Sequence, residues 1–422
     1  MENPRGPSPR VMGYLGDGPL STFTTAPALT MHVDINSCFA TLEQQANPLI
    51  RNKPVAVAAS LGSYGCILAS SYEAKALGIK TGTRVGEARA ICSSLIVLEP
   101  DPNKYRHVHD CLRQLLDQYS PVVIPKSIDE FIVDLSQSPQ GQTLRASPLE
   151  LARQIKARIQ KEIGEYITVS IGIAPNRILA KLGADIDKPD GLQLIDQKNY
   201  SQIYDQIELT DFCGVSTATK LRLNRAGIVT ATQFYQASIQ TLKFAFGSVI
   251  GRDWYYRLRG IEVDDWDTTR RVFGNSYVIP KAVTHEEGKK ILSKLASKSA
   301  KRMREAGYTT SILSLYIAYD DHTSHHQSIN LSSPHFDTRD IYKGLLLLYD
   351  VAPNKDVKQL AESCSGLAPI VTHPTLFGQV EKSRSLMNSL DIVNNKYGDN
   401  ILHFASSSTD KDHVHDAIAF GH

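Results

Sequence analysis

His32-Val33-Asp34-Ile35-Asn36-Ser37-Cys38-Phe39 decides how the chain begins to fold: an apolar strand delivers an aspartate at its end and runs into a helix through Ala40 and Leu42. Outward from this stretch, short apolar runs alternate with helical patterns from Leu29 to about Gly191. They read LTMHVDI, KPVAVAAS, YEAKALG, SIDEFIVDL and ITVSIGIA, which predicts mixed α and β structure. The KPDG sequence beginning at Lys188 reads as a turn joining two strands, after which Tyr200 to about Gly260 is helical and punctuated by glycine. Strand patterns return from Phe273 to about Pro369, notably TSILSLYIAY at 310–319, with helices expected near 286–306 and 338–350. A tail from Ile370 carries one more helical stretch, around Ser383 to Tyr397. The pattern describes a multidomain α+β protein.

Composition narrows the class without naming a function. A chain of 422 residues has room for roughly two to four compact units. Its 46 Lys and Arg nearly balance 44 Asp and Glu, so any nucleic-acid surface must come from local segregation of charge. Six scattered cysteines form no C-x-x-C pair and read as small buried thiols of a reducing compartment. Residues 1–27, rich in Pro and Gly, read as a flexible lead-in. No apolar run approaches the roughly 18 residues that span a bilayer, so no membrane partner and a cytoplasmic location are expected.

Three acids carry the chemistry. Asp34 is placed to hold a metal at a strand end, although an aspartate just before a helix also reads as an N-cap, a role Asn36 or Ser37 could take instead. In Ser127-Ile128-Asp129-Glu130-Phe131-Ile132-Val133, two adjacent carboxylates interrupt an apolar run, where burial is costly unless a cation neutralises them. Side chains of a flat strand alternate in direction, so both acids reach one site only if the chain turns or bulges there. A surface hairpin with two solvated acids is the competing reading. Asp34 with Asp129 and Glu130 suits two-metal phosphoryl chemistry.

VDINSCFATLE, SYEAKALGIKTG, SIDEFIVDL and SIGIAPNRILAKLGADIDKPDG, in this order, resemble the palm and fingers of Y-family DNA polymerases, over roughly residues 29–365. GCILASSYEAKALGIKTG and RSLMNSLDIVNNKYGDNILHFAS are most similar to the catalytic subunit of bacterial polymerase V, with polymerase IV a near relative. The resemblance implies a right-hand polymerase with a palm and fingers (28–190, fingers about 46–105) and a helical thumb (191–262). A little-finger DNA-binding domain (272–365) and a tail (366–422) follow. It implies template-directed synthesis of low fidelity in translesion synthesis and the SOS response, with no proofreading acids. It makes Asp34, Asp129 and Glu130 the metal-binding triad, with the Ile35 carbonyl a further ligand, two Mg2+ (or Mn2+) as cofactors and a deoxynucleoside triphosphate as substrate. Phe39 falls at the steric-gate position, otherwise an ordinary core aromatic. Tyr72, Lys75 and Lys181 match triphosphate contacts, Lys75 standing where arginine is common, and Lys181 otherwise a solvated charge. Cys66 and Leu68 would roof the nascent base pair.

Beyond the palm, Asp211 to Ile228 resembles a helix-hairpin-helix, with Gly214 and Lys220 set to meet DNA phosphate; a plain helical hairpin with basic surface residues is the lesser alternative, and Ser216 replaces the usual second glycine. The lysine stripe Lys290, Lys294, Lys298 and Lys301 reads as solvated surface opposite Leu292, Leu295, Ala296 and Met303. Arg270 and Arg271 are the better phosphate candidates. Asp320, Asp321, His322, His325 and His326 read as a polar loop rather than a metal site. Leu376 and Phe377, in HPTLF, stand where relatives carry a sliding-clamp peptide, or else pack on their own domain. Primer-template DNA is the expected partner, and the polymerase V likeness adds a recombinase filament and accessory subunits. A catalytically idle scaffold that binds DNA and proteins is the rival reading, and it would be expected to lose the triad. A two-metal nuclease would need neither the gate nor the triphosphate lysines.

Overall fold

The computed structural model describes residues 22–138, 147–264, 271–370, 379–398 and 401–404. Two compact units divide the chain, residues 1–267 and 268–419.

Unit 1 opens with β1 (Thr30–Ile35), buried along its whole length, which passes into α1 (Cys38–Ala46). A small sheet follows: β2 (Val55–Ala58) and β3 (Ile67–Ser70) form an antiparallel hairpin, α2 (Tyr72–Ala76) and α3 (Val85–Ile91) come next, and β4 (Ile96–Leu98) returns parallel to β2. Helix α4 (Pro102–Asp117) leads back to the hairpin β5 (Val123–Pro125) and β6 (Glu130–Asp134). Then come α5 (Pro148–Glu162), β7 (Val169–Ala174), α6 (Arg177–Ile186) and β8 (Leu192–Leu194). The main sheet runs β5-β6-β1-β7-β8, so β1 lies at its centre with antiparallel partners on both sides. A central strand flanked on both edges hides its polar backbone completely, which is why β1 tolerates an all-buried sequence.

Helix α6 presses on β7 at backbone contact. A Cβ built on Gly172 would lie 1.9 Å from the Ala180 carbonyl oxygen and 2.3 Å from the Ala184 nitrogen. Only glycine permits that approach. KPDG follows α6 and delivers the chain to β8, so it joins a helix to a strand, not two strands as its sequence suggests. The intervening element is α6 itself, whose residues ILAKLGADI follow β7 after only a short turn.

Five short helices complete unit 1: α7 (Tyr200–Gln206), α8 (Thr217–Arg225), α9 (Ala231–Gln236), α10 (Ile239–Phe246) and α11 (Ile250–Arg257). Their core is rich in aromatics, including Tyr204, Phe212, Phe234 and Trp254. Gly214 and Gly227 take positive φ (97° and 80°) on either side of α8, and Ser216 caps that helix through the Thr219 amide. The serine therefore replaces the second glycine without strain, its φ being −74°. The end of the expected lead-in is fixed: Phe23 is buried and stacks on Tyr200 at 4.4 Å, and the Thr24 amide donates to the Arg259 carbonyl.

Unit 2 contains β9 (Val272–Val283), α12 (His285–Glu305), β10 (Tyr308–Tyr319), β11 (Ser324–His335), α13 (Thr338–Asp350), β12 (Val357–Ser365), β13 (Ala368–Pro369) and α14 (Gln379–Tyr397). The antiparallel sheet is ordered β11-β10-β12-β9, with a core shared by α12, α13 and the strands. Leu292, Leu295, Ala296 and Met303 of α12 enter that core, as the apolar stripe predicts. Lys294, Lys298 and Lys301 are half-buried rather than fully solvated, and Lys290 is exposed. The expected tail belongs to this unit: β13 pairs with β10, and Asp391 of α14 takes a two-pronged ion pair from Arg304 at 2.8 Å each. Asp321 pairs with Lys355 and closes a turn with Thr323, which makes the Asp and His cluster a polar loop; His325 and His326 continue into β11. Arg270, Leu376 and Phe377 lie outside the described residues, and among those described no helix is long and apolar enough to cross a membrane.

Candidate active site

Asp34 is the fifth residue of β1 and stands directly across from Glu130, the first residue of β6. Side chains directly opposite on antiparallel strands share a face, so register alone brings these two carboxylates together. Asp129 lies just before the strand begins, in the β5–β6 turn closed by the Lys126 amide on the Glu130 carbonyl at 2.8 Å. That turn is the break in alternation which two adjacent acids require. Asp129 accepts from the Ser127 hydroxyl at 2.5 Å, and its carbonyl accepts from the Ile35 amide at 3.0 Å. The capping alternative for Asp34 fails on position, since Ser37 is the residue that precedes α1.

The acids are held by ammonium groups. Lys181 of α6 lies 2.5 Å from Asp34 Oδ2, 2.8 Å from Glu130 Oε1 and 3.2 Å from Asp185 Oδ1. It is no solvated charge. Lys188 lies 2.8 Å from both Asp34 Oδ2 and Asp185 Oδ1. Burial raises the pKa of Asp34, which is only 4% exposed, but the two lysines outweigh it and the net shift is downward. Burial keeps Asp129 and Glu130 above their ordinary values, Lys181 only partly offsetting it at Glu130. Burial opposes charge on Lys181 and Lys188, yet the surrounding carboxylates, Asp34 foremost, raise both.

His32 lies two residues before Asp34 on the same strand face, with Nε2 3.9 Å from Glu130 Oε2. Burial, reinforced by Lys181, lowers its pKa to about 3, so it is neutral. Its nitrogen joins oxygens of Asp34 and Glu130 in a cluster whose atoms all lie within 4.8 Å of one another. With Asp129 and Asp185 in reach of the same charges, four carboxylates face two ammoniums, a surplus of negative charge on oxygen donors. Hard divalent cations are bound by such oxygens, so the residues present fit them.

Next to the acids, the Lys75 ammonium donates to Ser37 Oγ at 2.7 Å and lies 4.6 Å from the centre of the Tyr72 ring. Ser37 itself holds φ 48°, an uncommon backbone state for a residue other than glycine and one that concentrates at functional sites. Burial, then Lys188, lowers the Lys75 pKa, which places Lys188 at the same cradle. Phe39 is 4% exposed and stacks on Tyr105 at 4.4 Å, whose hydroxyl donates to Glu43 at 2.8 Å. Cys66 is exposed and bridges to Arg84, and Leu68 is half-buried on β3. On the α7–α11 helices, Lys220 pairs with Glu208 at 2.7 Å. Arg271 of unit 2 is exposed.

Sequence reading missed Lys188, Asp185 and His32. Each had a signal: Asp185 is four residues beyond Lys181 on one helix, His32 shares the strand face of Asp34, and Lys188 stands in a motif read only as a turn.

Residues 33–185 match the impB/mucB/samB family and residues 270–375 its C-terminal domain. A protein of Moorella thermoacetica named DNA polymerase IV is 33% identical over 388 residues, covering 89% of this chain and 95% of its own. Another of that name, from Pelotomaculum thermopropionicum, is 31% identical over 385 residues, covering 89% and 94%. Neither carries the name polymerase V. Among solved structures, a Y-family DNA polymerase chimera of Dbh and Dpo4 is similar with a TM-score of 0.70, 21% identity and coverage of 81% of this chain and 99% of its own. An insertion ternary complex of Dbh DNA polymerase gives 0.61, 22%, 82% and 99%.

Proposed function

The chain belongs to the Y family of DNA polymerases and is a template-directed, low-fidelity polymerase of translesion synthesis; from that premise we propose that Asp34, Asp129 and Glu130 are its metal-binding triad. Y-family enzymes use divalent metal ions and deoxynucleoside triphosphates, and here two Mg2+, or Mn2+ in their place, are the ions assigned to these acids and the Ile35 carbonyl. When bound, the ions lower the pKa of the primer 3′-hydroxyl and neutralise the α-phosphate and departing pyrophosphate. The observation that carries the assignment is the Asp34–Glu130 register with Asp129 on the adjoining turn.

The remaining roles follow from the surrounding side chains. Lys181 and Lys188 keep Asp34 ionised, the state that a cation needs. Tyr72, Lys75 and Lys188 form the triphosphate cradle, Lys181 serving at its inner edge. Phe39, immobilised by Tyr105, is the steric gate that excludes a 2′-hydroxyl. Primer-template DNA is gripped through phosphate contacts at Gly214, Lys220, Arg270 and Arg271. Leu376 and Phe377 are the clamp anchor, and the polymerase V likeness of the tail supports a recombinase filament and accessory subunits as further partners.

Primer extension with Mg2+ tests the reading. The wild type should add nucleotides to a primed template, and wild-type chain that binds the DNA yet adds none would favour the scaffold.

A further inference from the structure

The β2–β3 hairpin lays the fingers out along one line. At its base, Tyr72 and Lys75 sit beside Ser37 and the acids. Leu68 on β3 and Cys66, just beyond the outer end of that strand where it bridges to Arg84, lie progressively farther out. Beyond them, at the tip, is Tyr64, 86% exposed. A nucleotide whose phosphates lie at the base and whose paired base lies under Leu68 and Cys66 leaves only one thing to meet the tip: template that is not yet paired.

The tip is built rather than loose. The Gly65 amide donates to Gly62 at 2.8 Å, the Gly86 amide to Ser63 at 2.9 Å, and the Val85 amide to Gly65 at 2.8 Å, so helix α3 pins the loop from behind. A Cβ on Gly65 would stand 1.9 Å from the Ser60 carbonyl oxygen, and one on Gly86 3.1 Å from that of Ser63. Two glycines thus allow the loop to fold back and be held, while its largest side chain points to solvent. An exposed apolar residue alone needs no explanation. A rigid mount for an aromatic ring does. The Arg84 guanidinium lies 6.0 Å from the Tyr64 ring centre, and Arg89 donates to the Leu61 carbonyl at 3.4 Å. Among the described residues neither arginine pairs with a carboxylate, so both remain open to phosphate.

We propose that Tyr64 stacks on the first unpaired template base, 5′ to the templating one, while Arg84 and Arg89 take the phosphates that flank it. An exposed aromatic face beside uncompensated cations is the recognition chemistry of single-stranded nucleic acid, and it is indifferent to base identity. The subsite holds the entering strand in line while a distorted pair occupies the roof. The inference rests on the polymerase reading and on the roof positions of Cys66 and Leu68.

Two measurements on the full-length chain test it. In the first, 2-aminopurine occupies the template position 5′ to the templating base of a primed duplex, without nucleotide. Wild type and Tyr64→Trp should quench its fluorescence, and Tyr64→Ala should restore it about twofold or more. In the second, single-nucleotide insertion is compared on templates carrying a normal base or an abasic analogue at that position. Removing the base should lower wild-type kcat/KM about tenfold, near the strength of one stack, and Tyr64→Ala should lose the difference between templates. Quenching that survives in Tyr64→Ala, or an unchanged template difference, overturns the proposal. A wild type that quenches yet inserts on neither template breaks the polymerase reading instead.

Discussion

Two buried carboxylates, one in each unit, meet opposite fates. Asp34 ends β1 of unit 1 against two lysine ammoniums, and its pKa is pushed below the ordinary range. Glu362 of β12 in unit 2 is 3% exposed, and the nearby Arg302 charge offsets only a small part of its burial. Its Oε1 accepts from Ser299 Oγ at 2.5 Å and the Asn275 amide at 3.2 Å, while Oε2 has no hydrogen-bond partner. Burial pushes its pKa up to about 7 despite those donors. Depth of burial is nearly the same at both sites, so the opposite shifts come from the company each acid keeps. An acid stabilised as an anion can bind a metal at neutral pH; one stabilised as a carboxyl serves packing.

The comparison can be broken at either end. The largest effect is expected from Asp34→Ala, which should lower extension rate by at least about three orders of magnitude, roughly 4 kcal/mol of transition-state stabilisation. Circular dichroism should show the fold retained. Glu362→Gln comes next. Between an unfolded-state value near 4.5 and about 7, the folded chain holds a proton that the unfolded chain has released. The stabilisation from this group is therefore complete below pH 4.5 and fades as pH rises through about 7, by about 3 kcal/mol in all. Thermal unfolding at pH 5 and pH 8 should show wild-type unit 2 losing stability over that interval, and Glu362→Gln losing far less. A variant with the wild-type slope would assign the titration elsewhere. Lys188→Ala should then lower kcat/KM for the nucleotide about 10- to 30-fold, the scale of one or two charge-assisted hydrogen bonds, with most of the change in KM. Phe39→Ala keeps the acids intact and should admit ribonucleotides, read as the ratio of kcat/KM for the two sugars; an unchanged ratio removes Phe39 from the gate.

What could be read from residues alone follows the same division. The meeting of Asp34 with Glu130 was legible because strand ends leave local marks in HVDINSCF and SIDEF, whereas the role assigned to Phe39 came from the family resemblance alone; α12 and α13 lie where apolar periodicity put them. Lys188 was not legible, because its partnership with Asp34 spans 154 positions and depends on α6 crossing β7. Glu362 was hidden for a related reason: VKQLAESC alternates like any half-exposed strand, and only the packing of α12 shows that this acid faces inward. The fixed end of the lead-in depended on Tyr200, far away in sequence.

Gly172 gives this charge arrangement an unexpected dependence. Because α6 rests on β7 at that residue, the height of Lys181 above Asp34 is set by a side chain consisting of one hydrogen atom. A methyl group there would wedge the helix upward and lift Lys181 together with Asp185, which steadies Lys188. The acids would lose their counter-charges while remaining chemically untouched. A position with no functional group of its own thus sets the charges around the acids, and a substitution at residue 172 would disturb them through the packing of α6 on β7.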